Sequence, residues 1–212
     1  MGEIVFFGDS LSGGRYGVWF GRYLKHNAQF HGIDGQFMHQ IIDRAKRFCL
    51  GHEGLVVVVE GGANDIVLGG CGRDEFSSWE KGLSDLRAMC NTLLVCTIPP
   101  VGEDPKSDLN RIRCAINYDI RSRAKACGYV VADIAKPLES LMSGRGLDRS
   151  PLDLMFDDRI RLQGLEISDL ERESLRISDS RGFGLTTDGL HLNSRGAMAV
   201  GECLDSVFNS LL

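Results

Sequence analysis

Three short polar segments contain the residue types that nucleophilic hydrolysis requires. The first is residues 8–14 (GDSLSGG), in which Ser10 comes soon after the apolar run Ile4–Phe7. Small residues allow a tight turn there, so that a serine hydroxyl can stand at the end of a strand and near the start of a helix. Free N–H groups at a helix N-terminus stabilise an oxyanion. Taken alone, the same residues could form an ordinary turn.

The last of the three, residues 187–193 (TDGLHLN), contains a candidate general base. Asp188 precedes His191 by three residues, and Gly189 lets the chain fold back between them. A carboxylate placed in this way can hold one imidazole nitrogen and leave the other facing a nucleophile. The alternative is a loop histidine beside a capping aspartate. The pattern predicts Ser10 as the nucleophile, His191 as the base and Asp188 as the group that orients it.

The middle segment, residues 61–65 (GGAND), follows the most hydrophobic stretch of the chain, Leu55–Val59. The side-chain amide of Asn64 can donate a hydrogen bond to an oxyanion without carrying charge. The asparagine and the aspartate after it could instead cap a helix or form an Asx turn.

These segments need a scaffold that brings strand ends together. Short apolar runs predict strands, and the patterns between them have helical spacing. The predicted strands are Ile4–Phe7, Ala28–Ile33, Leu55–Val59, Thr92–Ile98 and Tyr129–Ala132. The predicted helices are Tyr16–Lys25, Phe37–Phe48, Phe76–Met89, Leu109–Ala126 and Ser194–Leu211. Such alternation predicts an α/β fold, a three-layer flavodoxin-like sandwich with a roughly five-stranded parallel sheet, in which ligands bind at the carboxyl ends of the strands.

Residues 144–186 interrupt this alternation. They are rich in charged residues, and their apolar residues fit neither the strand nor the helix period well. A structureless loop of that length is rare inside a compact domain. We therefore expect an insertion that is partly helical, although Ile160 and Leu162 could also belong to a strand. Its charges are more often a solvated face than part of a site.

Composition narrows the class of protein. A length of 212 residues predicts a single domain over 1–212, and a net charge of −5 without a basic stripe argues against a nucleic-acid partner. The seven cysteines are scattered without a Cys-x-x-Cys pair, which favours reduced core residues over disulfides or a metal site. No apolar run is long enough for a transmembrane segment, and no signal peptide is recognisable, so we expect a cytoplasmic protein.

In this order and setting, the three segments resemble the motif blocks of the SGNH (GDSL-type) hydrolase superfamily. Residues 8–11, 62–65 and 188–191 match its first, middle and last blocks, and the similarity covers most of the chain outside about 144–186. The resemblance implies the SGNH hydrolase fold and an esterase- or lipase-type serine hydrolase that needs no metal and no organic cofactor.

The resemblance also implies an oxyanion hole. Its donors would be the backbone N–H of Ser10, the side-chain amide of Asn64 and the backbone N–H of a glycine after the second strand. Gly35, in an Asp-Gly-Gln context where the family usually shows Ser-Gly-Asp, is the best match, and Gly32 is the alternative.

The predicted reaction is cleavage of small-molecule carboxylic esters or thioesters through an acyl-enzyme on Ser10. An acyltransferase or a carbohydrate O-acetylesterase would use the same residues, and a non-catalytic binding protein could share the fold. A nucleotide-binding module is disfavoured because neither phosphate-loop motif occurs, and the absence of G-x-S-x-G argues against an α/β-hydrolase. The natural substrate and the oligomeric state stay open.

Overall fold

The computed structural model describes residues 2–147 and 149–211. Its five strands form one parallel sheet in the order β2-β1-β3-β4-β5. The strands are β1 (Ile4–Gly8), β2 (Ala28–Gly32), β3 (Val56–Val59), β4 (Thr92–Cys96) and β5 (Val130–Ala132). Each predicted strand is confirmed within two residues at either end. Because β1 lies between β2 and β3, the chain segments that leave these three strands meet at one edge of the sheet.

Helices cover both faces of the sheet. They are α1 (Ser10–Gly13), α2 (Met38–Cys49), α3 (Ala63–Val67), α4 (Phe76–Arg87), α5 (Asp108–Cys127), α6 (Ala135–Glu139), α7 (Pro151–Leu162), α8 (Ile167–Arg181) and α9 (Ser194–Leu211). Successive strand residues point to opposite faces, so Val5 and Phe7 pack with α2, α4 and α5, whereas Ile4 and Phe6 pack with α8 and α9. The predicted three-layer α/β/α architecture is confirmed.

The predicted helix at Tyr16–Lys25 is wrong. The helix after β1 begins earlier, at Ser10, and ends after one turn, and only a 3-10 turn at Phe20–Tyr23 follows. Gly14 and Gly17 both adopt a positive φ, of 66° and 63°, which right-handed helix cannot contain. The apolar residues of this stretch pack against the sheet without forming a helix.

The segment 144–186 contains two helices, which confirms the expectation of partial helicity. Ser150 caps α7 by accepting a hydrogen bond from the Leu152 N–H at 3.3 Å, and Gly182 ends α8 with a φ of 71°. Ile160 is helical and 78% exposed, so the strand alternative is wrong there. Residue 148 of this segment lies outside the described residues. Its origin as an insertion stays a prediction.

All seven cysteines are free, and three of them, Cys49, Cys96 and Cys127, are buried. The prediction that the cysteines are core residues is wrong for Cys114, which is exposed because its face of α5 points to solvent. Across residues 2–147 and 149–211, no helix is long and apolar enough to cross a membrane.

Candidate active site

The nucleophile turn, residues 9–14 and named for the predicted nucleophile Ser10, follows β1 directly. Ser10 is the first residue of α1, and the Asp9 carboxylate caps this helix by accepting a hydrogen bond from the Leu11 N–H at 3.0 Å. Gly8 is required at the end of the strand, since a Cβ there would collide with the side chain of Ser12. The turn leaves Ser10 only 6% exposed.

The structure brings the three predicted catalytic residues together. The Oγ of Ser10 lies 2.9 Å from Nε2 of His191, and Nδ1 of His191 lies 2.7 Å from Oδ2 of Asp188. The second oxygen, Oδ1, accepts hydrogen bonds from the backbone N–H groups of Leu190 and His191 at 2.8 and 2.7 Å. Gly189, with a φ of 91°, allows the tight turn that these bonds require. Both oxygens of the carboxylate are therefore satisfied by the loop that carries the histidine.

The electrostatic surroundings favour a basic imidazole. Burial alone would lower the pKa of His191, but the charge and hydrogen bond of Asp188 oppose this, with smaller contributions from Asp9 and Asp34. The net effect raises the pKa of His191 above its ordinary value. A carboxylate in this position stabilises the imidazolium that forms when the histidine takes a proton.

Tyr16 and Gly17 pack against the histidine loop, which is residues 187–193 and carries His191. The ring of Tyr16 lies 4.8 Å, centroid to centroid, from that of His191. A Cβ at Gly17 would collide with the carbonyl oxygen of Leu192, and the next residue, Val18, donates its N–H to that same oxygen at 2.7 Å. The segment after α1 thus holds the imidazole from one side.

Asn64 lies beside the nucleophile turn, on the short helix α3. Its Nδ2 donates to Oδ2 of Asp9 and to the carbonyl oxygen of Gln36, each at 3.1 Å. These bonds tie the nucleophile turn to the loop after β2, where Gly35 adopts a φ of 74°. Gly32 is the last residue of β2 itself and pairs with Gly8, so of the two candidate glycines only Gly35 lies in that loop.

Two buried carboxylates, Asp9 within the nucleophile turn and Glu60 beneath it, form the floor of this part of the site. Ser12 Oγ donates to Oε2 of Glu60 at 2.7 Å, while Oε1 of Glu60 is buried without a hydrogen-bond partner. Burial raises the pKa of Glu60 to about 7. Burial, followed by the charge of Glu60, raises the pKa of Asp9. Glu60 was not predicted as a site residue. The feature that could have indicated it is its position directly after an entirely apolar strand, where a charged side chain is unusual.

A further buried carboxylate, missed from the sequence, positions the loop that leads to Asp188. Oε1 of Glu103 accepts hydrogen bonds from Leu185 N, Thr186 N and Thr186 Oγ1 at 2.9, 3.0 and 2.8 Å. Its Oε2 accepts from Ser143 N at 3.1 Å and from Gly184 N at 2.5 Å. Glu103 thereby fixes residues 184–186, immediately before the aspartate. No local pattern around it predicts contacts with residues about eighty positions later.

In the part of the chain that the structure describes, no group of three or more His, Cys, Asp or Glu side chains is arranged to hold a metal ion.

The family model of the GDSL-like lipase/acylhydrolases matches residues 6–199. The chain belongs to this family. The match spans all three motif segments and the helices of residues 151–181, which confirms the resemblance found in the sequence. A search of curated protein sequences finds no match to this family member.

Solved structures share the fold of this GDSL-like family member at low sequence identity. A lipolytic G-D-S-L family protein from Veillonella parvula is 16% identical with a TM-score of 0.62, and 99% of each chain is covered. An acetyl xylan esterase is 20% identical with a TM-score of 0.66, covering 97% of this chain and 98% of the other. The catalytic domain of peptidoglycan O-acetyltransferase A from Streptococcus pneumoniae is 14% identical with a TM-score of 0.59, covering 99% and 93%.

Proposed function

We propose that this chain is a serine hydrolase that cleaves small-molecule carboxylic esters or thioesters through an acyl-enzyme on Ser10. The observation that carries the proposal is the contact of 2.9 Å between Ser10 Oγ and His191 Nε2, with Asp188 on the other imidazole nitrogen. Membership of an acylhydrolase family supports the reaction class.

The reaction has two halves. His191 takes the hydroxyl proton as Ser10 attacks the acyl carbon, and then gives that proton to the departing alcohol or thiol. In the second half, His191 takes a proton from water as the water oxygen attacks the acyl-enzyme, and returns it to Ser10 as the acid leaves. Asp188 holds Nδ1–H throughout and stabilises the imidazolium in both halves.

The oxyanion of each tetrahedral intermediate would be bound by three donors. These are the backbone N–H groups of Ser10 and Gly35 and the side-chain amide of Asn64. Both N–H groups of that amide are engaged in the resting site, by Asp9 and by the Gln36 carbonyl. We expect the hydrogen bond between Asn64 and the Gln36 carbonyl to break, so that this N–H of Asn64 can bind the oxyanion, because Gln36 lies in a partly exposed loop.

Hydrolysis of a p-nitrophenyl ester series, from acetate to long acyl chains, tests the proposal. Wild type should hydrolyse some members, and Ser10→Ala should fall to near the background rate while melting at a similar temperature. A fluorophosphonate probe should label wild type stoichiometrically at Ser10. Equal rates for the two proteins together with no labelling would contradict the proposal and support a non-catalytic binding protein. An alcohol acceptor added to the assay would reveal acyl transfer as a new ester product.

Asn64→Ala tests the oxyanion site. Loss of one such donor costs about 10²–10³ in kcat, so we expect a fall of that size with little change in KM. Asn27→Ala, at an exposed asparagine, is the control and should keep its activity. A folded Asn64→Ala protein with wild-type kcat would remove Asn64 from the oxyanion hole.

A further inference from the structure

A cavity of about 270 Å³ opens beside the segment that holds His191. Gly14, Arg15 and Gly17 form one wall, Arg22 adds to it, and the far wall comes from Arg159 and the residues that follow it at the end of α7. The described residues that line this cavity include three arginines and no aspartate or glutamate.

The positive charge of this cavity is only partly compensated. Arg15 is 66% exposed and reaches Asp34 at 3.5 Å, a weak pair. Within residues 2–147 and 149–211, no ion pair involves Arg22 or Arg159. Asp158, the acid nearest in sequence to Arg159, is directed elsewhere and pairs with Arg181. Three guanidinium groups around one cavity repel one another unless an anion lies between them.

The buried ring of Tyr16 lies between this cavity and the imidazole of His191. The guanidinium carbon of Arg159 lies 5.5 Å above the centre of the Tyr16 ring, and the Tyr16 ring contacts the imidazole of His191. His191 must reach the oxygen or sulfur of the leaving group in order to protonate it. Gly17 lines the cavity and also lies against the Cβ of His191, so a leaving group protonated by His191 would have to pass the edge of the Tyr16 ring to place a substituent near the arginines.

We propose that this cavity binds an anionic group, a carboxylate or a phosphate, on the alcohol or thiol portion of the substrate. Guanidinium groups bind both oxyanions through charge-assisted, often bidentate hydrogen bonds. The inference rests on the proposed hydrolase function and narrows it to esters whose leaving group carries negative charge.

Aromatic esters that differ only in charge test the proposal. The matched pair is 4-(butyryloxy)benzoate and its neutral methyl ester, and 4-(butyryloxy)phenyl phosphate supplies the phosphate arm. The measured quantity is the ratio of kcat/KM for the charged ester to kcat/KM for the neutral one. We expect Arg159→Gln and Arg22→Gln each to lower this ratio about tenfold relative to wild type, mainly through KM. The anion that the cavity prefers, carboxylate or phosphate, is the one on the substrate whose ratio falls more in these variants.

Arg161→Gln is the matched control, since Arg161 lies on the same helix but lines a different cavity. It should keep the wild-type ratio. An unchanged ratio in Arg159→Gln and Arg22→Gln, or an equal fall in Arg161→Gln, would overturn the proposal and leave the hydrolase function intact.

A binding measurement separates this proposal from the hydrolase function. Titration of inorganic phosphate and of 4-hydroxybenzoate into Ser10→Ala should show saturable binding that adding Arg159→Gln weakens. If wild type hydrolyses no ester and Ser10→Ala still binds these anions, the result would support the cavity and contradict the hydrolase. Absence of binding for both anions, together with an unchanged kinetic ratio, would overturn the anion site.

Discussion

Behind the histidine loop, the buried carboxylate of Glu103 accepts five hydrogen bonds, whereas beneath the nucleophile turn the Oε1 of Glu60 has no partner at all. Both side chains are about 1% exposed or less, and they follow the neighbouring strands β4 and β3. Burial removes hydration from both carboxylates, but only at Glu103 do N–H and O–H groups of the protein replace it on both oxygens.

The carboxylates on the two sides of the site therefore differ in how well they can carry negative charge. The histidine loop, with Glu103 and Asp188, surrounds negative charge with donors, so a charged carboxylate can support an imidazolium there. The floor, with Asp9 and Glu60, holds carboxylates whose pKa values are raised by burial. Near pH 7, Glu60 therefore adds less negative charge beneath the nucleophile turn than a solvated glutamate would.

The largest expected effect comes from removing the charge of the histidine loop. Asp188→Asn should lower kcat about 10³–10⁴-fold, because an amide no longer holds the correct imidazole tautomer. The charge of Asp188 raises the pKa of His191, so its loss should also move the acid limb of the kcat profile to lower pH. Rates measured against pH with a p-nitrophenyl ester check both effects.

Asp43→Asn, at an exposed position on α2, is the control for Asp188→Asn and should leave the profile unchanged. Wild-type turnover in Asp188→Asn would show that the aspartate does not orient the histidine.

Glu103→Gln sharpens the comparison through stability. The new amide would turn its own N–H groups toward backbone N–H groups of residues 143 and 184, which leaves buried donors facing donors. We expect the free energy of unfolding to fall by about 2–4 kcal/mol at pH 7, as measured by urea denaturation. A loss well below 1 kcal/mol would mean that the five hydrogen bonds do not stabilise the loop.

Glu60→Gln should act in the opposite direction, and with a smaller effect. The pKa of Glu60 is about 7 in the folded chain, against 4.5 for a glutamate in water. Between these values the folded state binds a proton that the unfolded state has released, so this group's contribution to stability falls as the pH rises from 4.5 to 7. Glutamine removes that loss, and we expect a gain on the order of 1–3 kcal/mol at pH 8 and little difference at pH 4.5.

Unfolding curves at several pH values check this prediction, with Glu53→Gln, at an exposed glutamate, as the control. Parallel pH dependence in wild type and Glu60→Gln would show that folding does not raise the pKa of Glu60.

Features that depend on contiguous residues could be predicted from the sequence. The run Val56–Val59 consists of four valines, a pattern that predicts a strand buried on both faces, and all four are buried. The serine and histidine motifs are each complete within seven consecutive residues. The helix predicted over Tyr16–Lys25 failed because the positive φ angle at Gly17 and packing against the histidine loop override local spacing. Glu103 could not be found because all five of its donors lie at least forty residues away in the chain.

The hydrogen bond between Ser10 and His191 joins positions 181 residues apart. A ribosome adds roughly 5–20 residues per second, so Ser10 would emerge at least several seconds before His191. During that interval the strands around Ser10 can pair, but the imidazole of His191 is not yet present to take its proton. If Ser10 reacts through His191 as proposed, the nascent chain should therefore stay chemically inert toward esters until residues 187–193 have emerged and packed against the segment that carries Ser10.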